Sequence, residues 1–167
     1  MTEDLDLLDF DLGFLKDAAA LVDASLELLR KEAEESSDPD GFGILDQIEY
    51  ITGFGFVACQ TYATSVVSGS NLKKPRALAL GPKHRTGRYI AELVNASANH
   101  WKHSAEWSLD APTKQTKQAL EVISSLGVDT IGSYPVTNAF YEILEPLPAR
   151  FATIIPFMTE WRDALLK

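Results

Sequence analysis

The clearest pattern in the chain is an apolar stripe near its N-terminus. Apolar residues recur there at gaps that alternate between three and four, at Leu5, Leu8, Leu12, Leu15, Ala19, Val22, Leu26 and Leu29. This spacing is typical of an amphipathic helix packed in a bundle or a coiled coil. Gly13 weakens the first turns, so the pattern predicts a helix from about 11 to 35, which the turn residues 36–41 end.

Five further segments have helical periodicity or helix boundary signals, with a loop at 68–75. Gly53 and Gly55 lie inside the second of the six helices, where they either permit close helix packing or mark a kink. β-branched and aromatic residues leave a strand open as an alternative over 54–67. Pro156 kinks or restarts the last helix. The chain is therefore predicted to be all-α, a single-domain bundle of five or six helices at about 11–35, 42–67, 83–107, 113–126, 134–144 and 148–165.

Length and composition are those of one globular domain with a sizeable core. The chain has 167 residues, of which 46% are hydrophobic and 23% charged. Cys59 is its one cysteine, so an intramolecular disulfide is excluded. The N-terminus is acidic, unlike a signal peptide, and no apolar run approaches the roughly 18 residues that span a bilayer. We therefore expect a cytoplasmic protein with no membrane span.

Charge is distributed unevenly along this acidic chain. Residues 1–66 carry fifteen acidic and three basic side chains, whereas residues 67–107 carry two acidic and seven basic ones. The net charge of −9 argues against non-specific nucleic-acid binding, which depends on neutralising phosphates. The basic run at Lys73, Lys74, Arg76, Lys83, His84, Arg85 and Arg88 can still contact RNA or an anionic ligand, or pair with the acidic helix of its own or a sister chain.

The third predicted helix, 83–107, has an unusual polar face. At 100° per residue, nine polar side chains fall within an arc of about 100°. They are His84, Arg85, Arg88, Glu92, Asn95, Asn99, Lys102, His103 and Glu106. Asparagine is a poor residue for a helix interior, so two asparagines on one face require a reason.

Two interpretations of this face remain open. In the first, it forms a polar groove in which Arg88 holds a phosphate or carboxylate and His103 moves a proton, oriented by Glu92 or Glu106. The other ligand contacts would then come from His84, Arg85, Asn95, Asn99 and Lys102. In the second, the same side chains form an interior hydrogen-bond network of arginines with glutamates and of asparagines with backbone.

Metal, cofactor and nucleophile motifs give no comparable signal. His100, His103 and Glu106 are spaced by three, but no second cluster completes a metal site. No phosphate-binding or dinucleotide-binding glycine pattern is present, and Cys59 has no activating sequence context. The sequence therefore predicts no cofactor and no metal.

One stretch resembles a known group of proteins. Leu78–Gly81, followed by Ala-Asn-His-Trp-Lys-His-Ser-Ala-Glu-Trp at 98–107, resembles an uncharacterised family of small bacterial all-helical proteins with an Ala-Asn-x-Trp-Lys-His…Glu-Trp signature. More distantly, it is similar to HEPN-type helical domains. That resemblance implies that the chain is a ribonuclease, or a partner protein in a toxin–antitoxin or phage-defence system. The HEPN catalytic pattern, an arginine with a histidine four to six residues later, is absent after both Arg85 and Arg88.

These observations support two main hypotheses. The first is a non-enzymatic interaction module that associates with itself, or with another bacterial protein, through the apolar stripe of the first helix. Leu15 and Val22 would then contribute to the interface. The second is a HEPN-like, metal-independent ribonuclease or RNA binder that uses the Arg88–His103 face. A third possibility is a small-molecule pocket beneath the third helix, at the Asn95–Asn99 pair.

Overall fold

The computed structural model describes residues 9–167, and helices dominate this range. Within it lie seven α-helices and one 3₁₀ turn, Ser104–Glu106, with no β-strand, which confirms the all-α prediction. The helices are α1 (Phe10–Glu35), α2 (Ile44–Ser68), α3 (Lys74–Leu78), α4 (Ile90–His103), α5 (Lys114–Ser124), α6 (Pro135–Leu144) and α7 (Phe151–Leu165). Leu5 and Leu8 of the predicted stripe lie outside the described residues. Among the described helices, none combines the length and apolarity that a membrane crossing requires.

Helix α1 begins at a side-chain cap and packs along α2 and α7. Asp9 accepts a hydrogen bond from the Leu12 backbone N–H at 2.8 Å, which satisfies one of the free donors of the first turn. The predicted stripe is buried against the core at Leu12, Leu15, Ala19 and Leu26. Val22 and Leu29 are half-buried and pack against the same core, so this face of α1 is not available as the predicted surface for self-association.

Helix α2 runs unbroken through the segment for which a strand was an alternative, so that alternative is wrong. Its two internal glycines permit close packing. A Cβ atom at Gly53 would overlap the ring of Trp101 on α4, and one at Gly55 would overlap the ring of Phe151 on α7. The aromatic rings of both neighbouring helices thus occupy the space that a side chain would take.

Gly55→Ala is expected to destabilise the fold by about 2 kcal/mol, since overpacking outweighs the roughly 1 kcal/mol gained in helix propensity. The Phe151 ring cannot move aside, because other rings pack against it. Its centroid lies 4.4 Å from that of Phe140, on which it stacks, and 5.4 Å from that of Phe56, which it contacts edge-on. Denaturant unfolding monitored by circular dichroism measures the change. Gly69→Ala, at the open end of the same helix, is the matched control and should change stability by less than about 0.5 kcal/mol.

Helix α4 is shorter than predicted: it spans Ile90–His103 rather than 83–107. Residues 82–89 instead form a tight turn, in which the His84 N–H donates to the Arg88 carbonyl at 2.8 Å. Gly87 takes a positive φ of 86° there, a conformation that glycine adopts without steric cost. After His103 the chain tightens into the 3₁₀ turn. The predicted six-turn polar face is therefore wrong at its N-terminal third.

Other helix boundaries agree with the capping and turn residues of the sequence. Thr113 caps α5 by accepting from the Thr116 N–H at 3.1 Å, and Pro135 occupies the first position of α6. Gly127 has the positive φ, 80°, of a residue that ends a helical segment. Helix α7 continues through Pro156. Helix α3 is not predicted by the sequence pattern, and it begins at Lys74, inside the segment 68–75 that was predicted to be a loop.

Candidate functional site

A groove with a volume of about 730 Å³ lies between α3, α4 and α5, beside the 3₁₀ turn. One wall is α4, whose lining residues follow at gaps of three and four and therefore share a face. Lys74 lies on the α3 side, and Trp107 on the segment after the turn. The α4 wall and the turn contribute Glu92, Asn95, Asn99, His103 and Glu106. The structure thus brings together the C-terminal part of the predicted polar face.

A hydrogen-bond relay from α2 supports the two asparagines. The Lys102 ammonium donates to Oε1 of the buried Gln60 at 2.6 Å. Gln60 Nε2 donates in turn to Oδ1 of Asn95 at 2.9 Å and to Oδ1 of Asn99 at 2.8 Å. The interior-network interpretation is therefore correct for these residues, although their partner is a side chain of α2 rather than the backbone alone.

His84, Arg85 and Arg88, the first three residues of the predicted polar face, lie in the turn before α4, outside the groove lining. Arg85 pairs with Glu142 and Glu145, both at 2.6 Å. His84 is buried, and its Nε2 lies 3.0 Å from the Glu142 carbonyl oxygen. These contacts hold the turn against α6, so a shared ligand site that includes His84 and Arg85 is wrong.

Arg88 does not share a site with His103. Its Nη1 atom lies 3.1 Å from Glu92 Oε1 and its Nη2 atom 2.8 Å from Glu121 Oε1, so two carboxylates pair with the guanidinium. Because Arg88 precedes α4 and His103 ends it, the two lie roughly 20 Å apart along the helix axis. The geometry therefore separates the predicted phosphate holder from the predicted proton carrier.

The three other candidates for chemistry are held in different ways. His103 Nδ1 lies 3.3 Å from Glu106 Oε2, at the end of the groove. His100 is buried, with Nε2 2.9 Å from the Thr130 carbonyl oxygen and its ring edge-on to Trp107. Burial raises the pKa of the Cys59 thiol to about 12, and this thiol stays protonated at neutral pH. Over residues 9–167, no three His, Cys, Asp or Glu side chains are grouped closely enough to hold a metal ion.

Sequence reasoning missed two residues of this site. Gln60 is the single polar residue in the apolar run 53–60, and a lone buried amide in such a run signals a specific hydrogen-bond partner. In the sequence, Lys74 stands out only as a member of the basic run between Lys73 and Arg88. In the structure its side chain is partly buried, and among the described residues it has no carboxylate partner.

A second candidate surface is the outer face of α1, opposite the core. Phe10, Phe14, Leu21 and Leu28 are 75%, 69%, 73% and 72% exposed. At 100° per residue they lie within roughly 40° of arc. We call these four residues the outer stripe. Between its ends, Asp17 is the one charged residue on the same side of the helix.

Comparisons with known proteins place no relative beside this chain. No protein-family model, no curated protein and no solved structure matches it. The resemblance to HEPN-type domains and to the small bacterial family therefore stays a prediction. The class defined by the fold and the two surfaces is an all-α bundle with a polar groove and an exposed apolar helix face.

Proposed function

We propose that this protein is a non-enzymatic interaction module that associates with a second copy of itself through the outer stripe of α1. The observation that carries the proposal is the exposure of four large apolar side chains on one narrow face. Exposed large apolar side chains that share one helix face mark interaction sites in proteins that otherwise have polar exteriors. The separation of Arg88 from His103 removes the main geometric support for the ribonuclease alternative.

The spacing of the outer stripe favours an antiparallel pair. Phe14, Leu21 and Leu28 recur every seven residues, so a two-fold axis at Leu21 places Phe14 of each copy against Leu28 of the other. An antiparallel pair also separates the acidic C-terminal ends of the two α1 helices, at Glu32, Glu34 and Glu35.

Small side chains beside the stripe support a close approach of two helices. Gly13, Ala20 and Ala24 flank it on one side. A Cβ atom at Gly13 would meet nothing within 4 Å, so no contact among the described residues accounts for a glycine there. Glycine inside a helix costs about 1 kcal/mol relative to alanine, and a partner helix provides a reason to retain it.

Leu21→Glu is the direct test. Because Leu21 lies on the proposed axis, the substitution places two carboxylates opposite each other in the pair. We expect the wild type to have about twice the chain mass of 18.4 kDa by light scattering, and the variant to have the chain mass. Leu109→Glu, at another exposed leucine, is the matched control and should leave the pair intact.

A wild-type protein of single-chain mass would contradict the proposal, as would a Leu21→Glu variant that stays paired. If Leu109→Glu dissociates as well, added negative charge is the cause and the outer stripe is not the interface. Circular dichroism of each variant should match the wild type, since all these positions are exposed.

A further inference from the structure

We propose that the groove between α3, α4 and α5 binds a small organic anion through the side-chain amides of Asn95 and Asn99 and the ammonium of Lys74. The anionic group would be a carboxylate or a phosphate, since both present several acceptor oxygens to N–H donors. This site is separate from the outer stripe of α1, and either proposal can fail without the other.

The relay through Gln60 determines which way the asparagine amides point. Lys102 can only donate, so the Gln60 atom that it contacts is the oxygen, and Gln60 Nε2 faces the asparagines as a donor. Nε2 therefore selects the Oδ1 atoms of Asn95 and Asn99. Each amide is left with Nδ2, and no described hydrogen bond uses either Nδ2 group. Both residues line the groove, which thus acquires up to four N–H donors.

Lys74 adds the positive charge. It lies at the groove without a carboxylate partner among the described residues. Burial, together with the nearby charge of Lys102, lowers the pKa of the Lys74 ammonium. A bound anion would offset both effects, because it would supply the missing opposite charge in a partly desolvated position.

Each acidic residue of the groove lining contacts another side chain. Glu92 is paired with Arg88, and Glu106 lies 3.3 Å from His103. Neither carboxylate is paired with Lys74 or hydrogen-bonded to Asn95 or Asn99 among the described residues, so the N–H groups of these three residues can bind a ligand. The remaining surface includes apolar side chains and the ring of Trp107, which suit the organic part of the ligand.

The size of the groove favours a small molecule over a polymer. Pockets for small ligands are typically about 300–1,000 Å³ and combine apolar walls with a few placed polar groups. The volume of about 730 Å³ lies in that range. Binding of a nucleic-acid strand would instead need an extended basic groove with aromatic stacking positions.

The test uses three probes on the full chain: inorganic phosphate, benzoate and adenosine monophosphate. Binding is followed by NMR through the side-chain NH₂ signals of Asn95 and Asn99. We expect saturable shifts of these signals with at least one probe. Lys74→Gln should weaken that binding at least about tenfold, as expected for a lost charge-assisted hydrogen bond. Lys73→Gln, its exposed neighbour outside the groove lining, is the matched control and should bind like the wild type.

Gln60→Glu tests the relay itself. A carboxylate there can only accept, so both asparagine amides should turn, donate to it and present oxygen to the groove. Anion binding should then be lost, while the backbone spectrum shows that the fold is retained. Gln60 would act as a positioning residue, since it lies behind the asparagines.

Four results would overturn the proposal. The first is the absence of saturable shifts with all three probes. The second is equal loss of binding in Lys73→Gln and Lys74→Gln, which would indicate general charge attraction. The third is a Gln60→Glu variant that is folded and binds the anion as well as the wild type. A short RNA that binds tighter than adenosine monophosphate and depends equally on both lysines would also contradict a small-molecule groove.

Discussion

Trp161→Ala is expected to lower the free energy of unfolding by about 3–5 kcal/mol, the usual range when a buried large aromatic is truncated. Trp161 on α7 is fully buried, and it is among the largest such side chains in the core. Its indole N–H donates to the Ala77 carbonyl at 2.8 Å. Loss of the ring therefore leaves a cavity and removes the hydrogen bond that ties α3 to the core.

Trp161→Phe separates these two contributions. The phenyl ring fills much of the cavity, but the buried Ala77 carbonyl loses its donor, so we expect a smaller loss of about 1–3 kcal/mol. Denaturant unfolding of both variants gives the comparison. Equal losses would mean that cavity volume contributes little, and a loss below about 1 kcal/mol in Trp161→Ala would contradict the tight packing of Trp161 in the core. Because α3 carries Lys74, Trp161→Phe should also weaken anion binding in the groove.

Asp9→Ala is the second substitution with a large expected effect, a loss of about 3 kcal/mol. The Asp9 carboxylate accepts from the buried Arg162 guanidinium and from the Tyr62 hydroxyl, both at 2.9 Å, and it also caps α1. Removing one partner of a buried ion pair typically costs 3–5 kcal/mol. The lower end applies because Asp163 remains beside Arg162 at 2.8 Å. Glu34→Ala, at an exposed carboxylate of the same helix, should change stability by less than about 0.5 kcal/mol.

The effect of Asp9→Ala should depend on pH. Burial alone would raise the pKa of Asp9, but hydrogen bonds from Arg162, Leu12 and Tyr62, together with the Arg162 charge, lower it below its ordinary value of 3.8. A lowered folded-state pKa contributes stability above the unfolded value, and this contribution is lost as pH falls through the folded value. The difference in unfolding free energy between wild type and Asp9→Ala should therefore be constant near neutral pH and shrink below pH 3.8. A difference that grows on acidification would contradict this assignment.

Local chemistry in the sequence determined the class of fold and many of the helix ends. The apolar period in α1 identified the face that is buried, because a helix in a bundle must cover its apolar side. The Thr113 cap and the positive φ of Gly127 follow from interactions that span three or four residues. Such signals act locally, so they could be recognised without knowledge of the rest of the chain.

The start of α4 and the composition of the groove were decided by contacts between distant residues. Arg85 is held by Glu142 and Arg88 by Glu121, and these partners are 57 and 33 residues away. The asparagines owe their orientation to Gln60, which is 35 and 39 residues away. A polar helix face indicates which side chains lie away from the apolar core, but it does not indicate which of them form ion pairs or hydrogen bonds with distant residues.

The sequence by itself therefore determined an all-α chain, the buried face of α1 and the residues from which a polar site could be built. Only the tertiary structure decided that Arg88 and His103 lie apart, that Asn95 and Asn99 line a groove and accept from Gln60, and that the outer stripe of α1 is exposed. The physical reason is that helix formation and capping depend on residues a few positions apart. Burial, pairing of charges and the supply of free hydrogen-bond donors depend instead on which helices pack together.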